Sequence, residues 1–154
     1  MLPVQIALAR RGDATRLAAM SRRLVEAGLD PSWTEQRIER QRQNPDSVVL
    51  VARVAGTIGG FAIMQYGDEA AHLNLLAVEK VHQRHGVGRA LVAWLEHTAR
   101  GAGVFRVRLE IRAGNAVARQ FYAALGYAER GWVAGYYQRQ EDALRFERDL
   151  SVPA

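Results

Sequence analysis

The sequence predicts a mixed α/β fold, in which a central, mostly antiparallel sheet is flanked by about four helices. Apolar residues alternate with a period of two in several short runs and recur at helical spacing in others. These runs follow one another in the order βααβββαβαββ. No repeat, linker or low-complexity tract interrupts the 154 residues, and a chain of this length can bury a sizeable core. We therefore expect a single domain over residues 1–154.

The first elements are a strand and a helix. Val4 to Leu8 alternates between inward and outward positions as a strand does. Asp13 then opens a helix in which apolar residues such as Leu17 and Leu24 share one face. Gly28 is expected to end this helix, because glycine is common just beyond a helical C-terminus.

A capping box predicts the second helix. In Ser32-Trp33-Thr34-Glu35, Ser32 is the expected N-cap and Glu35 reaches back to its amide, so the helix should run to about Gln43. The remaining elements follow from alternating apolar runs, helical spacing and glycine breaks. They are strands over residues 47–55, 57–66, 71–78, 105–112, 127–138 and 143–150, and helices over residues 87–100 and 115–125.

A glycine-containing loop joins the strand over residues 71–78 to the helix that begins near Val87. Gly86 and Gly88 let the backbone turn sharply and approach a ligand closely. The amides of residues 84–89 can then converge on one point, where the positive end of the following helix also points. The sequence therefore predicts a site for a phosphate or pyrophosphate. An ordinary strand-to-helix turn is the alternative, but it would need only one glycine.

The strand over residues 105–112 carries a candidate carboxylate. Apolar and charged residues alternate along it, so one face packs and the other meets solvent or a cleft. From this pattern alone, Glu110 would be a solvated carboxylate paired with Arg108 or Arg112. The apolar set is Phe105, Val107, Leu109 and Ile111, and the charged set is Arg106, Arg108, Glu110 and Arg112.

Two motifs in this order resemble those of the GNAT acetyltransferase superfamily. The loop Gln83-Arg84-His85-Gly86-Val87-Gly88 is similar to its Q/R-x-x-G-x-G/A motif. The segment from Asn115 through Tyr122 to Leu125-Gly126-Tyr127 is similar to its N-x-x-A-x-x-x-Y-x-x-L-G-F/Y signature. The whole chain from about Val4 to Leu150 can be laid on that fold. The resemblance implies an N-acetyltransferase that uses acetyl-CoA as co-substrate.

A narrower resemblance is to ribosomal-protein-alanine N-acetyltransferases. Leu109 to Asn115 is similar to their L-E-V-R-x-x-N segment, and Tyr136-Tyr137 followed by Glu141-Asp142-Ala143 is similar to their Y-Y…E-D-A ending. The chain departs from the pattern at Leu75, where those enzymes carry a polar Asn, and in the short connection from Tyr137 to Glu141. Both departures fall where the acceptor would lie.

The resemblance also implies roles for individual residues. Glu110 is the general base that takes the proton of the acceptor amine. Tyr122 is the general acid that protonates the departing sulfur, although a core aromatic is the alternative reading. Tyr136 and Tyr137 lie near the acceptor, or are ordinary sheet residues. The implied cofactor-binding set is Leu76, Ala77 and Val78 for the pantetheine arm, Gln83, Arg84, His85, Gly86, Val87, Gly88 and Arg89 for the pyrophosphate, and Asn115 with Tyr122.

The amino-acid composition limits the metals, nucleic acids and membranes that the protein is expected to bind. No cysteine is present and the four histidines are scattered, so we expect no metal and no thiolate nucleophile. His82 and His85 are expected to be exposed loop residues. The net charge of +5 comes from arginines spread along the chain, so a specific nucleic-acid interface is not expected. No run resembles a membrane span, and we expect a cytoplasmic protein.

Three functions remain open from the sequence. The first is acetylation of a protein N-terminal α-amine, and the second is acetylation of a small-molecule amine. The third is a non-catalytic module that binds coenzyme A or RNA. Glu110 and Tyr122 favour the two enzymatic readings, because a binding module has no need of an acid and a base.

Overall fold

A computed structural model describes residues 3–153, so residues 1, 2 and 154 of the predicted domain lie outside the described range. Within it, seven strands form one sheet in the order β1-β2-β3-β4-β5-β7-β6 and four α-helices cover its faces. The strands are β1 Val4–Leu8, β2 Ser47–Val54, β3 Thr57–Tyr66, β4 Ala71–Val78, β5 Arg106–Arg112, β6 Ala128–Tyr137 and β7 Glu141–Asp149. The helices are α1 Ala14–Leu24, α2 Glu35–Gln43, α3 Val87–Gly101 and α4 Ala116–Ala124.

Both the predicted order of elements and the predicted fold class are confirmed. Strands β4 and β5 pair in parallel, whereas every other neighbouring pair in the sheet is antiparallel. The hairpin predicted at Gly56 is present, with Ala55 and Gly56 in left-handed conformations at φ 52° and 84°. Two successive residues of this kind make the tight turn whose twist matches that of the flanking strands. No helix in the described part of the chain is long and apolar enough to cross a membrane.

The sheet is buried on both faces. Alternate residues of β3 point to opposite sides, so Met64 belongs to one apolar cluster and Phe61 to the other. Helix α3 covers the first cluster with residues such as Leu91, which is fully buried. Helix α1 covers the second cluster with Leu17, which is equally buried. Two apolar layers therefore hold the sheet rigidly between the helices.

The predicted end of the first helix and the predicted N-cap of the second are wrong, whereas the start at Asp13 and the end at Gln43 are confirmed. Helix α1 ends at Leu24, four residues before Gly28. The N-cap of α2 is Thr34, whose side chain accepts a hydrogen bond from the amide of Arg37. The expected N-cap, Ser32, instead donates from its amide and its hydroxyl to Glu26, at 2.8 and 2.5 Å.

The physical reason is the buried carboxylate of Glu26, which also accepts from the amide of Trp33. A buried charge must be hydrogen-bonded, and this requirement shapes the loop between α1 and α2. Glu35, expected to complete the capping box, accepts a hydrogen bond from the hydroxyl of Thr15 at 2.8 Å. One expectation for β5 also fails, because Phe105 precedes the strand and is 46% exposed.

The sheet opens between β4 and β5. The two strands pair only from Ala71 opposite Val107 to Leu73 opposite Leu109. Beyond Leu73 the register of β4 against β3 shifts, leaving Asn74 as an extra residue on β4. A bulge of this kind bends the strand that carries it. The carboxyl-terminal halves of β4 and β5 therefore part, and a cleft lies between them.

Candidate active site in the cleft between β4 and β5

The cleft has a volume of about 820 Å³. It is bordered by the separated ends of β4 and β5, by the loop between α1 and α2, and by the turn between β6 and β7. A volume of this size is typical of small-molecule and cofactor sites. The structure brings together six of the site residues predicted from the sequence. Those on the cleft wall are Leu76, Glu110, Asn115, Tyr122, Tyr136 and Tyr137.

Glu110 lies at the fork where the strands separate, and its side chain is only 6% exposed. His72 Nε2 lies 2.6 Å from Oε1 of Glu110, and the Tyr136 hydroxyl donates to the same oxygen at 3.1 Å. Arg145 Nε donates to Oε2 at 3.0 Å. Burial by itself would raise the pKa of Glu110, but the hydrogen bonds from His72 and Arg145 outweigh it and lower the pKa to about 2. Glu110 is therefore ionised throughout the neutral range.

The arginines expected to pair with Glu110 make other contacts. Arg108 binds Glu147 from the exposed face of the sheet, with 3.3 Å between Nε and Oε2. Arg112 binds Glu141, with 2.5 Å between Nε and Oε2. Arg145 comes from β7, which pairs with β5 directly opposite Glu110. The cross-strand neighbour therefore supplies the charge that the sequence neighbours were expected to supply.

Sequence reasoning missed His72. It lies on β4 beside the parallel partner strand, and its Nδ1 hydrogen-bonds to the side-chain oxygen of Asn74. The hydrogen bond with Glu110 is the largest cause that raises the pKa of His72 above its ordinary value. A signal was available, since polar His72 and Asn74 alternate with apolar Leu73 and Leu75 on one strand. Their contact with Glu110 depends on the β4–β5 pairing, which the sequence does not show.

Tyr122 lies across the cleft from the fork, on α4. Its ring packs edge-on against Phe121 and Tyr127, with ring centroids 5.0 and 5.5 Å apart. The residue is 6% exposed, and this burial raises the pKa of the Tyr122 hydroxyl well above its ordinary value. The ring is part of the core, as one sequence reading expects, and the residue also contributes to the cleft wall. The role of Tyr122 as general acid stays a prediction.

Asn115 is the N-cap of α4. Its side-chain oxygen accepts a hydrogen bond from the amide of Ala118 at 3.0 Å, as the sequence predicts. Asn115 and Tyr122 both contribute to the wall of the cleft, as their separation by two helical turns indicates.

The loop predicted to bind pyrophosphate lies beyond the inner end of the cleft. Gln83 donates from its side-chain amide to the carbonyl of Val78 at 2.9 Å, which ties the loop to the end of β4. Arg84 and Gly86 adopt left-handed conformations, with φ 64° and 83°. A side chain at Gly86 would meet no atom within 4 Å, so this backbone is open to a ligand. The exposed side chains around it are those of Arg84, His85 and Arg89.

Helix α3 begins directly after this open glycine. Ala90 donates the first helical hydrogen bond, to the carbonyl of Gly86, so the amides of residues 87–89 precede the helix's own ladder. With the helix dipole, they form a positive end suited to an anion. The side chain of Val87 is buried in the core, so only its backbone is available to a ligand.

Gly88 serves packing, which differs from the role expected for it. A Cβ at Gly88 would lie 3.1 Å from the ring of Phe121 on α4. Its φ is not left-handed, because it already lies within α3. Gly86 thus allows the turn, and Gly88 allows α3 and α4 to approach each other.

The end of β4 offers backbone groups to the same region. Leu76, Ala77 and Val78 pair with β3 along one edge, opposite Ala62, Phe61 and Gly60. Their other edge faces β5, which no longer pairs with them. Backbone groups on this free edge can hydrogen-bond an extended ligand as a neighbouring strand would.

The opposite end of the cleft is bordered by two loops that are hydrogen-bonded to each other. Gln138, in the turn between β6 and β7, accepts from the amide of Asp30 at 2.9 Å and donates to its carbonyl at 2.7 Å. Arg112 donates to the carbonyls of Val25 and Ala27 at 3.2 and 2.7 Å. These contacts fix the loop between α1 and α2 over the sheet, although the residues are far apart in the sequence.

The aromatic and basic residues at this end face the same space. Tyr136 and Tyr137 meet edge to face, with ring centroids 4.9 Å apart. The guanidinium of Arg37 lies 3.7 Å from the ring centroid of Trp33, an arrangement that stabilises the cation over the aromatic face. Arg37 and Arg112 both contribute to the wall together with the carboxylates Glu26 and Glu141, and Arg112 is paired with Glu141.

A mixed sheet that opens beside a free helix N-terminus, with a buried carboxylate at the fork, suits an acyl-transferring enzyme. The chain belongs to the acetyltransferase (GNAT) family, whose sequence profile matches residues 17–127, and it is an N-acetyltransferase.

Proteins that resemble the chain agree with this assignment. It is 31% identical to the N-alpha-acetyltransferase RimI of Mycobacterium tuberculosis over 99% of this chain and 96% of that protein. It is 38% identical to the [ribosomal protein bS18]-alanine N-acetyltransferase of Escherichia coli over 63% of this chain and 68% of that protein. The crystal structure of the ribosomal-protein-S18-alanine N-acetyltransferase from Escherichia coli superposes with a TM-score of 0.84 at 28% identity, covering 99% and 97% of the two chains.

Proposed function

We propose that this enzyme transfers the acetyl group of acetyl-CoA to the N-terminal α-amine of a protein, as a ribosomal-protein-alanine type of N-acetyltransferase. The observation that carries the proposal is the ionised, buried Glu110 at the fork of the sheet, in a chain similar over nearly its whole length to an N-alpha-acetyltransferase. The fork would then lie between the anion-binding end and the aromatic end of the cleft. An acyl donor can enter from the first end and an amine from the second.

The cofactor end is suited to the pyrophosphate and pantetheine of acetyl-CoA. The amides of residues 87–89 and the open backbone at Gly86 would hold the pyrophosphate, with Arg84 and Arg89 adding charge. The free edge of Leu76 to Val78 would hold the pantetheine arm by backbone hydrogen bonds. The arm would then lead the thioester toward the fork.

The transfer is direct. Glu110 draws the proton from the acceptor amine, directly or through a water, while the amine nitrogen forms a bond to the acetyl carbon and the carbon–sulfur bond breaks. Tyr122 donates to the departing sulfur, whose thiol has a pKa near the 8.5 of a cysteine. The raised pKa of Tyr122 keeps its hydroxyl protonated, so the hydroxyl can donate a hydrogen bond to the departing sulfur.

The acceptor is an α-amine because the site holds a weak base. An N-terminal amine has a pKa of about 7.7 to 8.0, whereas lysine has a pKa of about 10.4. At neutral pH the free lysine amine therefore costs roughly 3 to 4 kcal/mol more to obtain. A carboxylate whose pKa is about 2 does little to recover that cost.

The test is thiol release from acetyl-CoA with a panel of acceptors. The panel holds an unblocked peptide that begins with Ala, its N-terminally blocked copy, a lysine-only blocked peptide, spermidine and an aminoglycoside. We expect release with the unblocked Ala peptide and loss of release on blocking. Thiol release only with a small amine would agree with the family assignment but contradict the proposal that the acceptor is an α-amine. Binding of acetyl-CoA with no release from any acceptor would indicate the non-catalytic reading.

A further inference from the structure

The side chains of His72 and Glu110 join the buried fork to the protein surface. Glu110 is 6% exposed and His72 is 39% exposed, with 2.6 Å between Oε1 and Nε2. One proton can sit between these two atoms. On its other side, His72 Nδ1 meets the side-chain oxygen of Asn74, so Nδ1 carries a hydrogen. Asn74 thereby orients the ring with Nε2 toward Glu110.

Glu110 alone is a poor destination for the proton of an amine. With its pKa near 2, it lies about six powers of ten below an α-amine in proton affinity. An imidazole starts from an ordinary pKa of 6.5, and the bond to Glu110 raises the pKa of His72 above that. His72 is therefore closer to the amine in proton affinity than Glu110 is.

We propose that His72 is the proton-accepting partner of Glu110, taking the acceptor's proton at Nε2 during the transfer and returning a proton to solvent afterwards. This inference rests on the proposed transfer to an α-amine. The N–H bond of the amine breaks as its nitrogen bonds to the acetyl carbon, and the proton passes along Oε1 of Glu110 to Nε2 of His72. The imidazolium then loses one proton to water, which returns the pair to its starting charge.

Charged and titratable groups around the pair come from each neighbouring strand. Arg145 on β7 and Tyr136 on β6 both hydrogen-bond to Glu110, and Arg108 on β5 lies beside His72 in the register. Arg145 opposes the positive charge on His72, whereas the bond to Glu110 favours it. Arg37, from α2, lies on the same cleft wall. The hydrogen bonds with Glu110 and Asn74 outweigh burial and the charge of Arg145, so the pKa of His72 is raised.

The sign of the pH dependence follows. Below the raised pKa of His72, the pair already holds its proton and cannot take another. The rate should therefore fall as pH falls through a pKa above 6.5, and it should be restored as pH rises. The ionisation of Glu110, with its pKa near 2, has no part in this range.

Two substitutions test His72 against a matched control. His72→Gln can still donate a hydrogen bond to Glu110 but cannot take a proton, and kcat with the Ala peptide at pH 7.5 should fall about 10²-fold. His72→Ala opens the exposed edge, and free imidazole should restore its rate in proportion to the neutral imidazole concentration. His97→Gln makes the same change at an exposed position of α3 and should leave the rate unaltered.

A second readout is independent of turnover. The imidazole C–H resonance of His72, followed by NMR against pH, should give a pKa above 6.5 that falls in Glu110→Gln. An unrescued His72→Ala, together with a His72→Gln pH profile that superposes on that of the wild type, would overturn the role of His72. A wild type that acetylates no α-amine would instead overturn the proposed function, and this inference with it.

Discussion

The two ends of the cleft are built in different ways. The cofactor end comes from one continuous stretch of chain, in which β4 leads through the loop at Gly86 into α3, and it presents mainly backbone groups. The acceptor end comes from segments far apart in the sequence, held together by side chains such as Gln138 on Asp30 and Arg112 on Val25. Glu110 lies where the two ends meet.

This difference between the two ends indicates which of them single substitutions can change more easily. Backbone amides and a helix dipole bind an anion whatever the neighbouring side chains are, so the cofactor end depends on conformation more than on identity. Side-chain contacts between distant loops can change one residue at a time. We therefore expect substitutions at the two ends to separate cleanly into effects on acetyl-CoA and effects on the acceptor.

The largest effect on kcat is expected at Glu110, where the two ends of the cleft meet. Glu110→Gln removes the charge that draws the proton from the amine, so kcat should fall by about 10³. The dissociation constant of acetyl-CoA, measured by calorimetry, should change little, because the carboxylate lies outside the anion-binding end. A parallel loss of acetyl-CoA binding would show that the two ends are not separable at Glu110.

Tyr122→Phe should have the next largest effect. The ring contacts with Phe121 and Tyr127 are kept, and only the hydroxyl that donates to the departing sulfur is lost. We expect kcat to fall by about 10² with the thermal midpoint nearly unchanged, since one donor at a developing negative charge contributes an effect of this size. Single-turnover kinetics measure it. An unaltered single-turnover rate would leave Tyr122 as a core aromatic only.

A smaller effect is expected from a charge placed in the anion-binding loop. Gly86→Asp and Gly86→Asn differ in charge but hardly in shape, and both residue types tolerate a left-handed backbone. Gly86→Asp should bind coenzyme A about 3- to 10-fold more weakly than Gly86→Asn, with the gap closing at high salt. Equal affinities of the two variants at low salt would show that the pyrophosphate does not bind near Gly86. The KM of the acceptor peptide should be the same in both.

The smallest effect is expected at the acceptor end. Gln138→Ala removes both hydrogen bonds to Asp30 and should raise the KM of the acceptor peptide about 3- to 10-fold, because each bond contributes about 0.5 to 1.5 kcal/mol. Gln140→Ala, in the same turn, is the matched control and should behave as the wild type. A change in the KM of acetyl-CoA, with none in the KM of the peptide, would reverse the assignment of the two ends.

The same contrast explains what the sequence could predict. The glycine loop, the Asn115 cap and the hairpin at Gly56 depend on neighbouring residues, and all three are where the sequence places them. The roles of the residues that would bind acetyl-CoA remain predictions. The contact of Gly88 with Phe121 was not predicted, since it requires the packing of two helices.

At the acceptor end, predictions made from neighbouring residues were wrong or incomplete because long-range contacts decide the structure there. The capping box at Ser32 looked complete from four residues, but the buried Glu26 draws both the amide and the hydroxyl of Ser32 to itself. The partners of Glu110 could not be read either, because His72 and Arg145 reach it only through the pairing of β5 with β4 and β7. Alternating polar residues on β4 were the one available signal.

The most direct test of the central claim uses one peptide that begins with Ala and holds one internal Lys. The peptide is incubated with the enzyme and acetyl-CoA near neutral pH, and the position of the acetyl group is read by tandem mass spectrometry. The account predicts a single acetyl group on the α-amine, with the lysine unmodified. Acetylation of the lysine with the α-amine left free would contradict it.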